Sequence, residues 1–102
     1  MQSIISSKGI YTVITLRGEL DESCASALRT QLDAQLSHTG NNVVFDFQDV
    51  SFMDSTGIGM LLGRYKKLKA MGKNIYIANP HSHIDRIMSM SGMYTIMKKI
   101  AI

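Results

Sequence analysis

Four consecutive residues, Asp54-Ser55-Thr56-Gly57, concentrate more reactive chemistry than any other stretch of the chain: a carboxylate, two hydroxyls and a glycine. A serine in such a run could act as an acyl-transfer nucleophile, but that needs a G-x-S-x-G elbow and a histidine base. The run is not that elbow, and none of His38, His81 and His83 is clearly placed to serve as base. His81-Ser82-His83 flanks a helix start, where alternate residues do not share a helical face, and no third metal ligand is evident. These histidines read as exposed loop residues. Cys24 falls on an apolar helical stripe and reads as a small core residue rather than a nucleophile. Gly57, Gly59 and Gly63 invite a nucleotide-binding reading, yet G-x-G-x-x-x-G is not the dinucleotide fingerprint. The glycines begin ten residues after Phe47, and Asn79 ends the next strand where a ribose-binding acid would stand. No Walker lysine is present. No enzyme activity, cofactor or metal site is expected.

The same four residues can do a different job. Asp, Ser and Thr accept hydrogen bonds from the free N–H groups of a first helical turn, so the run can simply cap a helix. The helix it opens is unusual, however. Three glycines in one helix cost about 1 kcal/mol each relative to alanine, less for one near the end, and something must offset that cost. With Ile58, Leu61, Leu62, Tyr65 and Leu68 facing a sheet, a step of about 100° per residue turns Thr56, Met60, Gly63 and Lys67 to the opposite side, with Gly59 at its margin. Small residues and an exposed methionine there would let another backbone lie close. The hydroxyls of Ser55 and Thr56 stand at one end of that surface, at the positive end of the helix dipole, where a phosphate is favoured. Phosphorylation would set about −1.5 to −2 charges at the rim of a binding surface, a physical basis for a switch. Capping and dipole arguments alone favour neither hydroxyl; the less hindered one, nearer the helix entrance, belongs to Ser55.

The elements that must position this turn follow from periodicity. Ile10 to Leu16 reads as a strand, preceded by a Ser7-Lys8-Gly9 turn and a short partner strand over Ser3 to Ser6. Asp21 sits as an N-cap before the helical stripe Cys24, Leu28, Leu32 and Leu36, which Thr39-Gly40 ends. Asn42 to Phe47 is the second clear strand, followed by the helix from about Ser55 to Met71, stopped by Gly72. Lys73 to Ala78 is a strand closed by Asn79-Pro80. Ser82 starts a short helix with Asp85 as its capping-box partner; Ile84, Ile87 and Met88 point inward, and it ends near Gly92. Tyr94 to Ile102 reads as a last edge strand, which Lys98-Lys99 would suit. The order β-β-α-β-α-β-α-β predicts an α/β fold with a mixed sheet, over residues 1–102 as a single domain.

Composition agrees with this. With 45% hydrophobic and 19% charged residues among 102, the chain has enough apolar surface for one core and is not of the disordered class. A lone cysteine cannot form an internal disulfide and fits a reducing cytoplasm. No apolar run approaches the ~20 residues that span a bilayer, and Met1 to Ile5 does not begin a signal peptide. The net charge of +3 comes mostly from Arg64 to Lys69 and Lys98-Lys99. The first group lies where a helix ends, and Tyr65 is the only aromatic in either group, so solvated cations rather than a nucleic-acid surface are expected.

Val50-Ser51-Phe52-Met53-Asp54-Ser55-Thr56-Gly57-Ile58-Gly59, continued by Leu62-Gly63-Arg64-Tyr65-Lys66, resembles the signature of bacterial anti-sigma factor antagonists of the STAS-domain family. Gly18-Glu19-Leu20-Asp21 matches a second family motif, and Ile87-Met88-Ser89-Met90-Ser91-Gly92-Met93 resembles a third; order and spacing agree over nearly the whole chain. The likeness is greatest to the sporulation members that act on the sigma F pathway. It implies a STAS-like fold and a switched partner of an anti-sigma factor that is itself a GHKL-type serine kinase with bound ADP or ATP. In that family the serine directly after the aspartate is phosphorylated, which breaks the complex, and a PP2C-type phosphatase resets it. Carried over, the phosphosite is Ser55 and Asp21 belongs to the surface that contacts the kinase. Together with the helix face described above, Asp54, Thr56, Gly57, Gly59, Met60, Gly63 and Lys67 complete the expected partner surface of a cytoplasmic protein that is monomeric when free. Relatives continue beyond the position of Ile102 into a further helix, so contacts of that helix are not expected here and some core is expected to be more exposed. A STAS module of a transporter or stress-signalling scaffold is the alternative.

Overall fold

The computed structural model describes residues 1–102. Its elements are β1 (Gln2–Lys8), β2 (Tyr11–Leu20), α1 (Glu22–Leu36), β3 (Asn42–Met53), α2 (Ser55–Ala70), β4 (Ile75–Ala78), α3 (Ser82–Met90), a 3-10 turn (Met93–Thr95) and β5 (Lys98–Ile100). The sheet order is β1-β2-β3-β4-β5. β1 and β2 form an antiparallel hairpin, with Gly9 at φ 58° in its turn, and every later pairing is parallel. Each right-handed crossover steps the same way across the sheet, so α1, α2 and α3 all fall on one face. There Ile14, Leu16, Phe45, Phe47 and Ile77 pack against Leu28, Leu32, Leu61, Leu68, Ile84 and Met88. Side chains alternate along each strand, and the other face buries Val13, Val44 and Ala78 beneath Tyr11, Tyr76, Ile100 and Ile102. The Tyr11 and Tyr76 rings meet edge to face at 5.7 Å.

The α/β reading with its mixed sheet and element order is what the structure has. Several boundaries differ. β2 reaches Leu20 and β3 reaches Met53, past the expected ends at Leu16 and Phe47; register irregularities near Arg17 and Glu19 carry β2 through Gly18, at φ 111°. Such bulges break the strict alternation that marks a strand in sequence. α1 stops at Leu36 with Ser37 at its C-cap, not at Thr39-Gly40. α3 does start at Ser82, as expected, but Ser82 is its first helical residue and not its cap, which is His81, without a side-chain capping bond. Asp85 closes no capping box; its carboxylate accepts instead from Tyr94 Oη and from Lys99 Nζ at 3.0 Å. The final strand is only Lys98–Ile100, because Tyr94 lies in the 3-10 turn that follows Gly92.

Candidate functional site

Two helices start side by side at the carboxyl ends of two parallel strands. Leu20 pairs with Met53, so β2 and β3 finish level, and each is followed by an aspartate and then a helix. Asp54 N–H donates to Leu20 carbonyl at 3.4 Å, tying the two turns together. Both aspartates have extended backbones and cap the helix they precede. Asp21 Oδ1 accepts from Ser23 N at 3.0 Å and from Ser23 Oγ at 2.6 Å. Asp54 Oδ1 accepts from Thr56 N at 2.9 Å. The positive ends of α1 and α2 therefore open on one patch of surface, just beyond the strand ends, where open α/β sheets usually place their sites.

Within that patch the two hydroxyls have different fates. Ser55, the first residue of α2, is exposed. Thr56 is half-buried, and its Oγ1 donates to Glu22 Oε2 at 3.2 Å. Glu22 was missed by the sequence reading; an acidic residue directly after a capping aspartate was the available signal. Gly57 lies beneath, wholly buried. A Cβ there would come within 2.5 Å of Met53 Cγ and 2.9 Å of Leu20 Cγ. Close packing of α2 on the ends of β2 and β3 thus explains this glycine.

The rest of α2 is turned relative to the expected wheel. Gly57, Met60, Leu61, Arg64 and Leu68 are buried, while Ile58, Leu62 and Tyr65 pack only partly against the core. Met60 is 2% exposed, so it is a core residue and not part of an outward surface. Of the side expected to face solvent, Met60 is buried, and Thr56 and Lys67 lean on α1: Thr56 reaches Glu22, and Lys67 Nζ reaches Asp33 Oδ2 at 2.7 Å. Lys67 and Gly63 remain accessible, as expected. Arg64, read as a solvated helix-end cation, is buried with its Nε 3.0 Å from Asp33 Oδ1. A helix packed along α1 has a covered flank as well as a covered base, which a one-sided wheel does not allow for. The outward line is Ser55, Gly59 and Lys66, with Gly63 half-exposed. Added Cβ atoms at Gly59 and Gly63 would meet nothing within 4 Å, so no internal packing explains them.

On the α3 side of Ser55 lies an open apolar groove of about 380 Å³, walled by Asp54, Ser55, Ile58, Ile87, Met90 and Ser91. Met90 is 81% exposed. The i, i+3 spacing of Ile87 and Met90 could have revealed this wall.

The candidate catalytic groups are not assembled. His81 Nε2 contacts Val50 carbonyl at 2.6 Å, and His83 stacks on Phe52 at 6.4 Å between ring centres. His81 is exposed in the turn before α3, as expected, and the Val50 contact anchors it there. Cys24 is half-buried, its thiol directed at the Glu19 and Asp21 carbonyls. No group of three or more His, Cys, Asp or Glu side chains could hold a metal ion. One argument against nucleotide binding falls: β3 runs to Met53, so Gly57 follows its strand by four residues rather than ten. The glycine spacing and the missing lysine still stand against it. No helix is long and apolar enough to cross a membrane.

Comparison with known proteins adds to this geometry. Residues 3–101 match the STAS domain. The chain is 31% identical over 86 residues to the anti-sigma F factor antagonist of Paenibacillus polymyxa, covering 83% of this chain and 74% of that one. It is also 31% identical over 84 residues to the anti-sigma-B factor antagonist of Bacillus subtilis, covering 82% and 76%. Among solved structures, the anti-sigma factor antagonist SpoIIAA in its unphosphorylated form superposes with a TM-score of 0.79 at 26% identity, over 97% of this chain and 88% of that one. The Bacillus SpoIIAA structure in its phosphorylated form gives 0.71 at 26% identity, over 97% and 91%.

Proposed function

The chain belongs to the STAS domain family, and from that premise we propose that it is an anti-sigma factor antagonist switched by phosphorylation at Ser55. In its unmodified form it binds an anti-sigma factor that is a GHKL-type serine kinase carrying ADP or ATP, and so frees a sigma factor. Transfer of phosphate to Ser55 ends the complex, and a PP2C-type phosphatase restores it. The protein acts in the cytoplasm as a single domain, monomeric when free, with no turnover of its own.

One observation carries this reading. Ser55 is exposed at the start of α2, whereas the neighbouring Thr56 hydroxyl is engaged by Glu22. Phosphate on Ser55 would sit at a helix N-terminus, where its charge is tolerated by the fold. It would also stand beside Asp21, Asp54 and Glu22, making the patch strongly anionic towards a partner that had docked on a neutral hydroxyl. The partner surface that fits the geometry comprises Asp21, Asp54, Ser55 and Gly59, with the Ile58–Met90 groove beside them and Gly63 at its far end. The names of the relatives and the two forms of SpoIIAA support the same reading.

The test starts from the kinase that the unmodified protein captures in a lysate of its native cells. Incubation with that kinase and ATP, followed by mass spectrometry, should place phosphate on Ser55. Ser55→Ala should take up none and hold the kinase persistently, and Ser55→Asp should bind weakly, although one carboxylate charge reproduces only part of a phosphate's. Phosphate on Thr56 and none on Ser55 would overturn the assignment.

A further inference from the structure

At the end of α2 remote from Ser55, helices α1 and α2 part around a cavity of about 230 Å³. Leu36, Leu68 and Met71 supply its apolar lining, and Asp33, Arg64 and Lys67 its charges. Arg64 is the unexpected member. It is 6% exposed, and a guanidinium so deeply placed is costly unless its N–H groups are used. They are not. Nε lies 3.0 Å from Asp33 Oδ1, close enough for an ion pair but too bent for a hydrogen bond, and neither Nε nor Nη1 has a hydrogen-bond partner. Asp33 is moreover shared, since Lys67 Nζ holds its other oxygen at 2.7 Å. Two cations against one carboxylate leave the cavity with an excess positive charge.

We propose that this cavity binds a small aliphatic monocarboxylate, with its head on Arg64 and Lys67 and its tail along Leu36, Leu68 and Met71. A carboxylate head answers the excess positive charge of Arg64 and Lys67, although Arg64 Nε and Nη1 themselves stay enclosed. A phosphate or sulfate dianion fits less well. The cavity lies between the C-terminal halves of both helices, whose dipoles oppose negative charge. Charge alone is therefore a weak handle there, and the tail must contribute by burying apolar surface. The site shares no residue with the Ser55 patch.

The test is an NMR titration of the isotope-labelled protein with octanoate, octan-1-ol and acetate. Octanoate should give saturable shifts of the Leu36, Leu68 and Met71 methyl signals together with the Arg64 Nε–H signal. Octan-1-ol, which has the tail without the charge, and acetate, the charge without the tail, should each bind at least tenfold more weakly. Arg64→Met removes one of the two cations and keeps an apolar stem, and it should lose about tenfold for octanoate. If that variant fails to fold, Lys67→Met, which alters only an exposed partner, should weaken octanoate several-fold. Equal binding of octanol and octanoate would overturn the proposal. So would an absence of saturable octanoate shifts, or shifts centred on the helix-free face around Tyr11 and Tyr76.

Discussion

Alanine placed at two glycines only two residues apart in α2 should change stability in opposite directions. At Gly57 the new methyl would stand 2.5 Å from Met53 Cγ and 2.9 Å from Leu20 Cγ. Both neighbours are 1% exposed, so neither can swing into solvent, and overpacking of this kind costs about 1–3 kcal/mol. Removing a helical glycine returns at most about 1 kcal/mol, and less within the first turn. Gly57→Ala should therefore destabilise by about 1–2 kcal/mol. At Gly59 nothing lies within 4 Å of the added carbon, so only the propensity term acts and Gly59→Ala should stabilise by about 0.5–1 kcal/mol. The unfolded chains change in the same way, and their contribution cancels in the difference. Equilibrium urea unfolding should separate the variants by roughly 2–3 kcal/mol, and their melting temperatures by about 10 °C. A Gly57→Ala protein as stable as wild type would refute the packing argument; a destabilised Gly59→Ala protein would refute the account of the outward face. The second variant also bears on function. Its methyl projects one turn from Ser55 on the proposed docking face, so its kinase affinity should fall although its fold is firmer.

The two capping aspartates can be separated by role: Asp21→Ala and Asp54→Ala should each cost about 1 kcal/mol in a thermal melt, and Asp21→Ala should in addition weaken kinase binding in isothermal titration. Stability loss with unchanged affinity would leave Asp21 a cap alone. Gly63→Gln should fold normally, since its half-exposed position has open space for a Cβ, yet hinder the partner's approach; normal kinase binding would remove that part of α2 from the interface. The Asp85–Tyr94 pair should shape the pH profile of stability. The Tyr94 hydroxyl, then Lys99, holds the Asp85 carboxyl below its ordinary 3.8, so this contribution is present above that value and is lost as pH falls towards the folded pKa. Burial, then Asp85, pushes the Tyr94 phenol well above its ordinary 10.0, so that contribution is present below pH 10.0 and is lost as pH rises beyond it. Tyr94→Phe should flatten both limbs in melts from about pH 2 to pH 11; limbs like those of wild type would acquit the pair.

The sequence alone determined the element order, the α/β class and the position of the Asp54–Gly57 turn. Those features rest on local physics: apolar spacing, β-branched runs, and aspartates that cap whatever helix follows. The structure keeps both Asp21 and Asp54 in that capping role. Local rules failed where a residue's surroundings come from distant segments. β3 looks finished at Phe47, yet it runs on to Met53, with Asp49, Val50, Phe52 and Met53 paired to β2, because a neighbouring strand, not propensity, completes their hydrogen bonds. Met60 looks exposed on a one-sided wheel and is buried because α1 closes that flank. Asp85 has the spacing of a capping box but lies within reach of Tyr94 and Lys99, whose charge and hydroxyl hold it elsewhere. The side-by-side helix starts, the Glu22 hold on Thr56 and the buried Arg64 all join residues about thirty apart in sequence. Only the packing of the sheet and helices could bring them together, because their geometry depends on which flanks of α2 its neighbours cover.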